Sequence, residues 1–187
     1  GYNKISVNNN FLFKENKNIK LDLNSIAKGY AVDKISEFIE KNNYFNYLVE
    51  IGGELKSKNI SNSNDWVIGI QHPSDNNTIN KINLNNLSMA TSGSYNNYFE
   101  SNGKIFSHIL NPKTGYPYEY KTLSATIVSE YCIDADAYAT LAMTMNPNDV
   151  ISLINKINNT EAYILEVNNN EIIEYKSNGF NYLIVSD

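Results

Sequence analysis

The chain has 187 residues, enough for one ordinary domain, and 42% of them are hydrophobic and 12% aromatic, so it can bury a true core and is not a disordered tail. Its formal net charge is −5 with no basic block, which argues against nucleic acid as a partner, because phosphate backbones demand clustered cations. All 15 cationic residues are lysines, so a phosphate bound here must be held by Lys, backbone N–H or metal rather than by an arginine fork.

In chain order, Lys4–Val7 and Phe11–Phe13 predict a hairpin turning at Asn8-Asn9-Asn10, and the alternation in Ile19–Leu23 predicts a further short strand. A helix follows, with Asn24 or Ser25 as its cap. Ile26, Tyr30, Ile35, Phe38 and Ile39 recur at helical spacing until Asn42-Asn43. Gly29 inside that helix costs about 1 kcal/mol relative to Ala, so something must approach its backbone closely. Tyr47–Ile51 is a strand running into Gly52-Gly53-Glu54, and Leu55–Ser57 continues the ladder. Trp66–Ile70, Ile79–Leu84 and Leu87–Thr91 are predicted strands, and Ala90–Tyr95 packs small residues and hydroxyls around one glycine in a composition suited to a donor cradle. Tyr95–Phe99 and Lys104–Phe106 flank the Asn102-Gly103 hairpin signal, and Ser107–Pro117 is a shaped loop carrying His108 and two prolines. Leu123–Ser129 is a strand, Ile133–Met145 a helix, and Pro147 opens another helix to about Ile157. Ala162–Val167, Glu171–Tyr175 and Tyr182–Val185 are the terminal strands. Short hairpins dominate, so the fold class is α+β with mainly antiparallel sheet and two to three helices, in a single domain over 1–187.

Cys132 is the only cysteine, and no apolar run reaches the length of a membrane span. The chain opens at Gly1 rather than Met, which leaves room for a lost targeting segment.

The helix at Ile133–Met145 carries the chemistry. Asp136 and Thr140 are four residues apart and share one face, one turn from each other. A carboxylate and a hydroxyl near a helix start suit a hard cation such as Mg²⁺, which takes oxygen ligands and keeps positions open for phosphate. The plainer alternative is that Asp134 or Asp136 caps the helix while Thr140 packs inside. His108 is either a proton-handling group or an imidazole satisfied within a tight loop. His72 lies in an ordinary loop with no role assigned.

Four separated segments, L-D-L-N-S-I-A-K-G-Y-A-V-D (Leu21–Asp33), I-G-G-E-L (Ile51–Leu55), M-A-T-S-G-S-Y with S-H-I-L-N-P-K-T-G-Y-P (Met89–Pro117), and D-A-D-A-Y-A-T (Asp134–Thr140), together resemble the ApbE-type FAD:protein FMN transferases in order and spacing. The resemblance implies an ApbE-like fold. It also implies a Mg²⁺-dependent enzyme that takes FAD as substrate, transfers FMN to a Thr or Ser hydroxyl of an acceptor flavoprotein, and releases AMP. Metal ligands carried over are Asp136, Thr140 and the backbone carbonyl of Ala27. Asp136 and His108 are the implied catalytic residues. Ala27, Lys28, Gly29, Gly52, Gly53, Glu54, Thr91, Ser92 and His108 are the implied FAD-binding set. Asp22 stays outside the ligand set as a residue that orients neighbouring loops.

Two departures qualify the resemblance. Asn111 stands where the family usually has Asp in the H-I-x-D-P loop, and an amide there carries no charge. Family members also usually carry a substantial segment ahead of the point where this chain begins, one that helps enclose the flavin. This implies the C-terminal major part of the family's fold: a processed fragment completed by a missing N-terminal segment, one half of a two-chain assembly completed by a second chain, or a naturally minimal domain. The alternatives to the transferase are a Mg²⁺-dependent FAD pyrophosphatase giving FMN and AMP, and a non-catalytic FAD-binding module. By the same analogy the expected location is periplasmic or cell-surface, membrane-associated through a removed N-terminal segment, as in a lipoprotein.

Overall fold

The computed structural model describes residues 1–60, 65–73, 77–93, 98–101, 104–107, 111, 114–116, 122–168 and 171–185. His108 therefore lies outside the described residues, as does the Asn102-Gly103 turn. Among the described residues are three α-helices, α1 (Asn24–Lys41), α2 (Cys132–Ala142) and α3 (Pro147–Ile154). The strands are β1 (Ile5–Asn8), β2 (Phe11–Lys14), β3 (Asn46–Ile51), β4 (Glu54–Asn59), β5 (Val67–Gln71), β6 (Thr78–Asn83), β7 (Ser88–Gly93), β8 (Tyr98–Ser101), β9 (Lys104–Ser107), β10 (Thr122–Ser129), β11 (Thr160–Asn168) and β12 (Glu171–Lys176).

A six-stranded sheet in the order β12-β11-β10-β7-β4-β3 forms the frame, with every pair antiparallel. The pairs β1-β2, β5-β6 and β8-β9 are separate hairpins. The α+β, antiparallel architecture is the one the hairpin spacing predicts.

The two faces of the sheet differ in chemistry because side chains alternate along each strand. One face presents Ala90, Ala125, Ile127, Ala162 and Ile164 to Ala135, Ala139 and Ala142 of α2 and to Val150 and Ile154 of α3. Alanine on both sides lets α2 lie close to the strands. The other face presents Leu55, Met89, Val128, Tyr163 and Leu165 to Ile70, Ile82 and Leu84 of the β5-β6 region and to Phe180. Tyr163 and Phe180 stack there with ring centroids 5.2 Å apart. Helix α1 covers the β3-β4 end on the α2 side, where Val32 meets Tyr47, Val49 and Cys132.

Four expectations change. Residues 19–23 form no strand; Lys14 Nζ donates to the Ile19 carbonyl at 2.8 Å and ties the segment down as a loop. Neither Asn24 nor Ser25 caps α1. Leu23 stands at the N-cap position without a side-chain cap bond, and Asp22 ahead of it accepts from the Asn24 N–H at 2.9 Å through Oδ1 in a local turn. Residues 182–185 are no strand either: a 3-10 turn at Phe180–Tyr182 leads to a single bridge between Ile82 and Ile184. The apolar series on α1 is not its core face, since Tyr30, Ile35 and Phe38 are exposed. The buried face is Gly29, Val32, Asp33 and Ser36, small and polar because it meets another helix and a charged strand.

Candidate active site

Lys28, Gly29, Gly52, Glu54 and Asp136 of the predicted set lie together where α1 crosses α2 beside the β3-β4 turn. Gly29 is the point of contact. A Cβ placed there would lie 2.4 Å from the Cys132 carbonyl oxygen, 2.7 Å from its carbon and 2.8 Å from Asp136 Cβ. The close approach that this glycine implies is thus made by α2 itself. With no side chain between the helices, the Gly29 N–H reaches Asp136 Oδ2 at 2.9 Å.

Asp136 is 4% exposed, and no side chain caps α2 from its own sequence, so neither Asp134 nor Asp136 fills the capping role. Burial pushes the Asp136 carboxyl above its ordinary range, opposed by the Gly29 N–H and the nearby Lys28 charge. Its second oxygen has no hydrogen-bond partner among the described residues. Thr140, half-buried, sits one turn further along the same face.

Beside it, Lys28 Nζ pairs with Glu54 Oε1 at 2.6 Å. Glu54 is 2% exposed, and its Oε2 is buried without a partner among the described residues. Burial raises the Glu54 carboxyl; Lys28 draws it back, and the neighbouring Asp136 charge raises it further. Gly52 and Gly53 form the two-residue turn between β3 and β4 with φ of +61° and +99°, a conformation with positive φ at both positions that glycine adopts without strain. The turn leaves Gly52 bare against Lys28 and Glu54, whose Cδ and Oε2 a Cβ at Gly52 would meet at 3.5 and 3.8 Å.

Lys28, Gly29, Gly52, Glu54 and Asp136 are therefore one cluster, with Gly53 in its turn and Ala27 one residue before Lys28 in α1. Thr91 and Ser92 are divided by the pleat. Ser92 shares the α2 face with Ala90 and Ala125. Thr91 points the opposite way, with Met89, and its hydroxyl is engaged with that of Thr126 at 2.9 Å. At Asn111 the backbone closes a turn, its carbonyl accepting from the Gly115 N–H at 2.8 Å.

The residues present suit a divalent cation. Among the described residues no three of His, Cys, Asp and Glu cluster as a metal site. Yet a carboxylate, a hydroxyl and a carbonyl form the oxygen-only set that Mg²⁺ prefers, and among the described residues the buried Oε2 of neighbouring Glu54 has no partner, an unmet demand for positive charge.

Sequence reasoning passed over Asp33. It lies four residues after Gly29, on the same helix face, and is 7% exposed. Its carboxylate accepts from the N–H groups of Cys132 and Ile133 at 3.1 and 3.0 Å and from Lys56 Nζ at 2.7 Å. The i, i+4 relation to Gly29 within the quoted segment was the available signal.

An antiparallel sheet backed by crossed helices, with a buried acid beside a glycine turn, defines an α+β protein with one candidate site at the helix crossing. The ApbE family model matches residues 1–164, and the chain belongs to that family. It is 36% identical over 192 residues to the FAD:protein FMN transferase of Haemophilus influenzae, covering 98% of this chain and 55% of that protein. The Escherichia coli K12 protein of the same name is 29% identical over 180 residues, 95% of this chain and 51% of its own length. The crystal structure of the Pseudomonas stutzeri flavinyl transferase ApbE superimposes with a TM-score of 0.86 at 30% identity, covering 100% of this chain and 58% of that one. The Thermotoga maritima ApbE protein gives 0.86 at 27% identity, covering 100% and 60%. The chain spans about half the length of the curated relatives it matches.

Proposed function

We propose that this chain carries catalytic machinery for transferring FMN from FAD to a protein hydroxyl. The single observation that carries the reading is the buried Asp136 carboxylate, held by the Gly29 N–H between two helices, beside a lysine paired to a buried glutamate and a bare glycine turn. The names of the relatives support flavin transfer as the reaction. Oγ of a Thr or Ser on an acceptor flavoprotein forms a bond to the FMN phosphorus. The anhydride bond to the AMP phosphate breaks, AMP leaves with the electron pair, and the hydroxyl gives up its proton, with His108 as the expected acceptor. Asp136, Thr140 and the Ala27 carbonyl would hold Mg²⁺, which when bound neutralises charge on the pyrophosphate. Lys28 has three donors and gives one to Glu54, which leaves others to face phosphate. Gly52 and Gly53 let the dinucleotide approach backbone without a Cβ in the way. Action in the periplasm or at the cell surface belongs to the same proposal.

Incubation of the protein with FAD, Mg²⁺ and an acceptor flavoprotein tests this. A mass increase of the acceptor by one FMN, matched by AMP release, is the expected result. AMP and free FMN without the adduct would identify water as the acceptor and the chain as a pyrophosphatase. Bound FAD with no AMP would overturn both.

A further inference from the structure

We propose that Asp33 is a positioning residue for the candidate metal site, acting through helix α2; this rests on the functional reading above. Helix α2 has Tyr131 at its N-cap position and no cap bond from its own side chains. Its first two N–H groups instead donate to the two oxygens of Asp33, about a hundred residues earlier in the chain. The contact recurs one turn away, where Gly29 N–H donates to Asp136. From Gly29 to Asp33, α1 advances four residues; from Asp136 to Cys132, α2 recedes four. The helices thus run antiparallel at the crossing and are fixed at two points. One point permits α2 to rotate about the contact. Two points set both its rotation and its axial position, and with them the direction in which Asp136 and Thr140 present their oxygens to the Ala27 carbonyl.

Lys56 holds the clamp. Its ammonium pairs with Asp33 Oδ1 at 2.7 Å and is 17% exposed. Lys56 stands on β4 two residues after Glu54 and on the same face, so the sheet fixes the carboxylate that fixes the helix. Residues that orient metal ligands without touching the metal commonly influence affinity or activity by about 10–100-fold.

The test compares wild type with Asp33→Ala, Asp33→Asn and, as a matched loss of packing in α3, Ile154→Val. Each is titrated with Mn²⁺, followed by electron paramagnetic resonance, and assayed for AMP release from FAD in the presence of Mg²⁺ and an acceptor flavoprotein. Asp33→Ala is expected to weaken Mn²⁺ binding and lower kcat by about 10-fold or more, with a smaller change in the KM for FAD. Asp33→Asn, which keeps one acceptor, is expected to fall between it and wild type. Ile154→Val is expected to bind Mn²⁺ as wild type does, whatever its melting temperature. Wild-type Mn²⁺ affinity and kcat in folded Asp33→Ala would overturn the positioning role. Should Asp33→Ala fail to fold, wild-type values in Asp33→Asn would do so. Absence of both Mn²⁺ binding and AMP release in wild type would instead remove the metal reading on which the proposal rests.

Discussion

Replacing Gly29 with alanine should damage this protein even though alanine is the better helix former. Intrinsic propensity favours the change by about 1 kcal/mol. Against it, the new Cβ would sit 2.4 Å from the Cys132 carbonyl oxygen, which must retreat to at least 3.0 Å, a shift of 0.6 Å or more. That oxygen is backbone in the first turn of α2, so the helix moves with it. The 2.9 Å bond from Gly29 N–H to Asp136 then stretches to about 3.5 Å, the limit of a hydrogen bond. Overpacking costs about 1–3 kcal/mol and a lost bond to a charged group about 1.5–3 kcal/mol, so after the propensity gain the net loss is about 1.5–5 kcal/mol. For a chain of this size each kcal/mol lowers Tm by about 2–4 °C, which gives a fall of about 3–20 °C in a metal-free thermal melt followed by circular dichroism. Mn²⁺ affinity and AMP release should fall with it. An unchanged or higher Tm for Gly29→Ala, with unchanged Mn²⁺ affinity, would refute the contact between the helices.

Asp136→Asn should abolish AMP release yet hold or raise the metal-free Tm at neutral pH, because burial already disfavours the charged form of this carboxyl; a large loss of Tm would show that the charge is needed for folding. Lys28→Met removes the cation beside buried Glu54, whose carboxyl burial already raises. A raised carboxyl binds its proton more tightly folded than unfolded, so stability is fullest in acid and falls as pH climbs through the raised value. The variant's urea midpoint should therefore drop more than that of wild type as pH rises above the ordinary carboxylate range, and parallel curves would exclude a role for Lys28 in holding that charge. His108→Ala should remove a neutral-pH limb from the pH profile of AMP release; an unaltered profile would give proton transfer to another group.

The hairpins, the antiparallel sheet and all three helices could be read from turn residues and apolar spacing, because those patterns report local geometry. The site was legible in part for the same reason. Gly52-Gly53 announces a turn with positive φ, and Asp136 with Thr140 announces one face of a helix. What depends on tertiary pairing was hidden. The exposure of Tyr30 and Phe38 follows from what α1 packs against, not from its own periodicity. The cap of α2 is another helix's aspartate. Thr91 and Ser92 look equivalent in a hydroxyl-rich run, yet strand pairing puts them on opposite faces. Tyr182–Val185 resembles a strand, but only Ile184 finds a bridge.

The charges between α1 and β4 complete the physical picture. Alternate residues of β4, Glu54, Lys56 and Lys58, pair with Lys28, Asp33 and Glu40 of α1 at 2.6, 2.7 and 2.7 Å. Over this span the strand advances about 13 Å and the helix about 18 Å, a mismatch that long lysine stems and the tilt of the helix absorb. The polarity reverses along the series: the acid is on the strand at the first pair and on the helix at the next two. Sliding β4 by one residue would turn all three charges toward the face of Leu55 and Met89 and bury them unpaired, so the apolar core forbids the slip. Partly exposed pairs such as Lys58 with Glu40 contribute at most about 1 kcal/mol each, too little to account for the fold's stability. Their value is in alignment. They allow α1 one seat on the sheet, and from that seat Asp33 and Gly29 grip α2 at two points a turn apart. The position of Asp136 is thereby set from β4 through α1 as well as by its own helix.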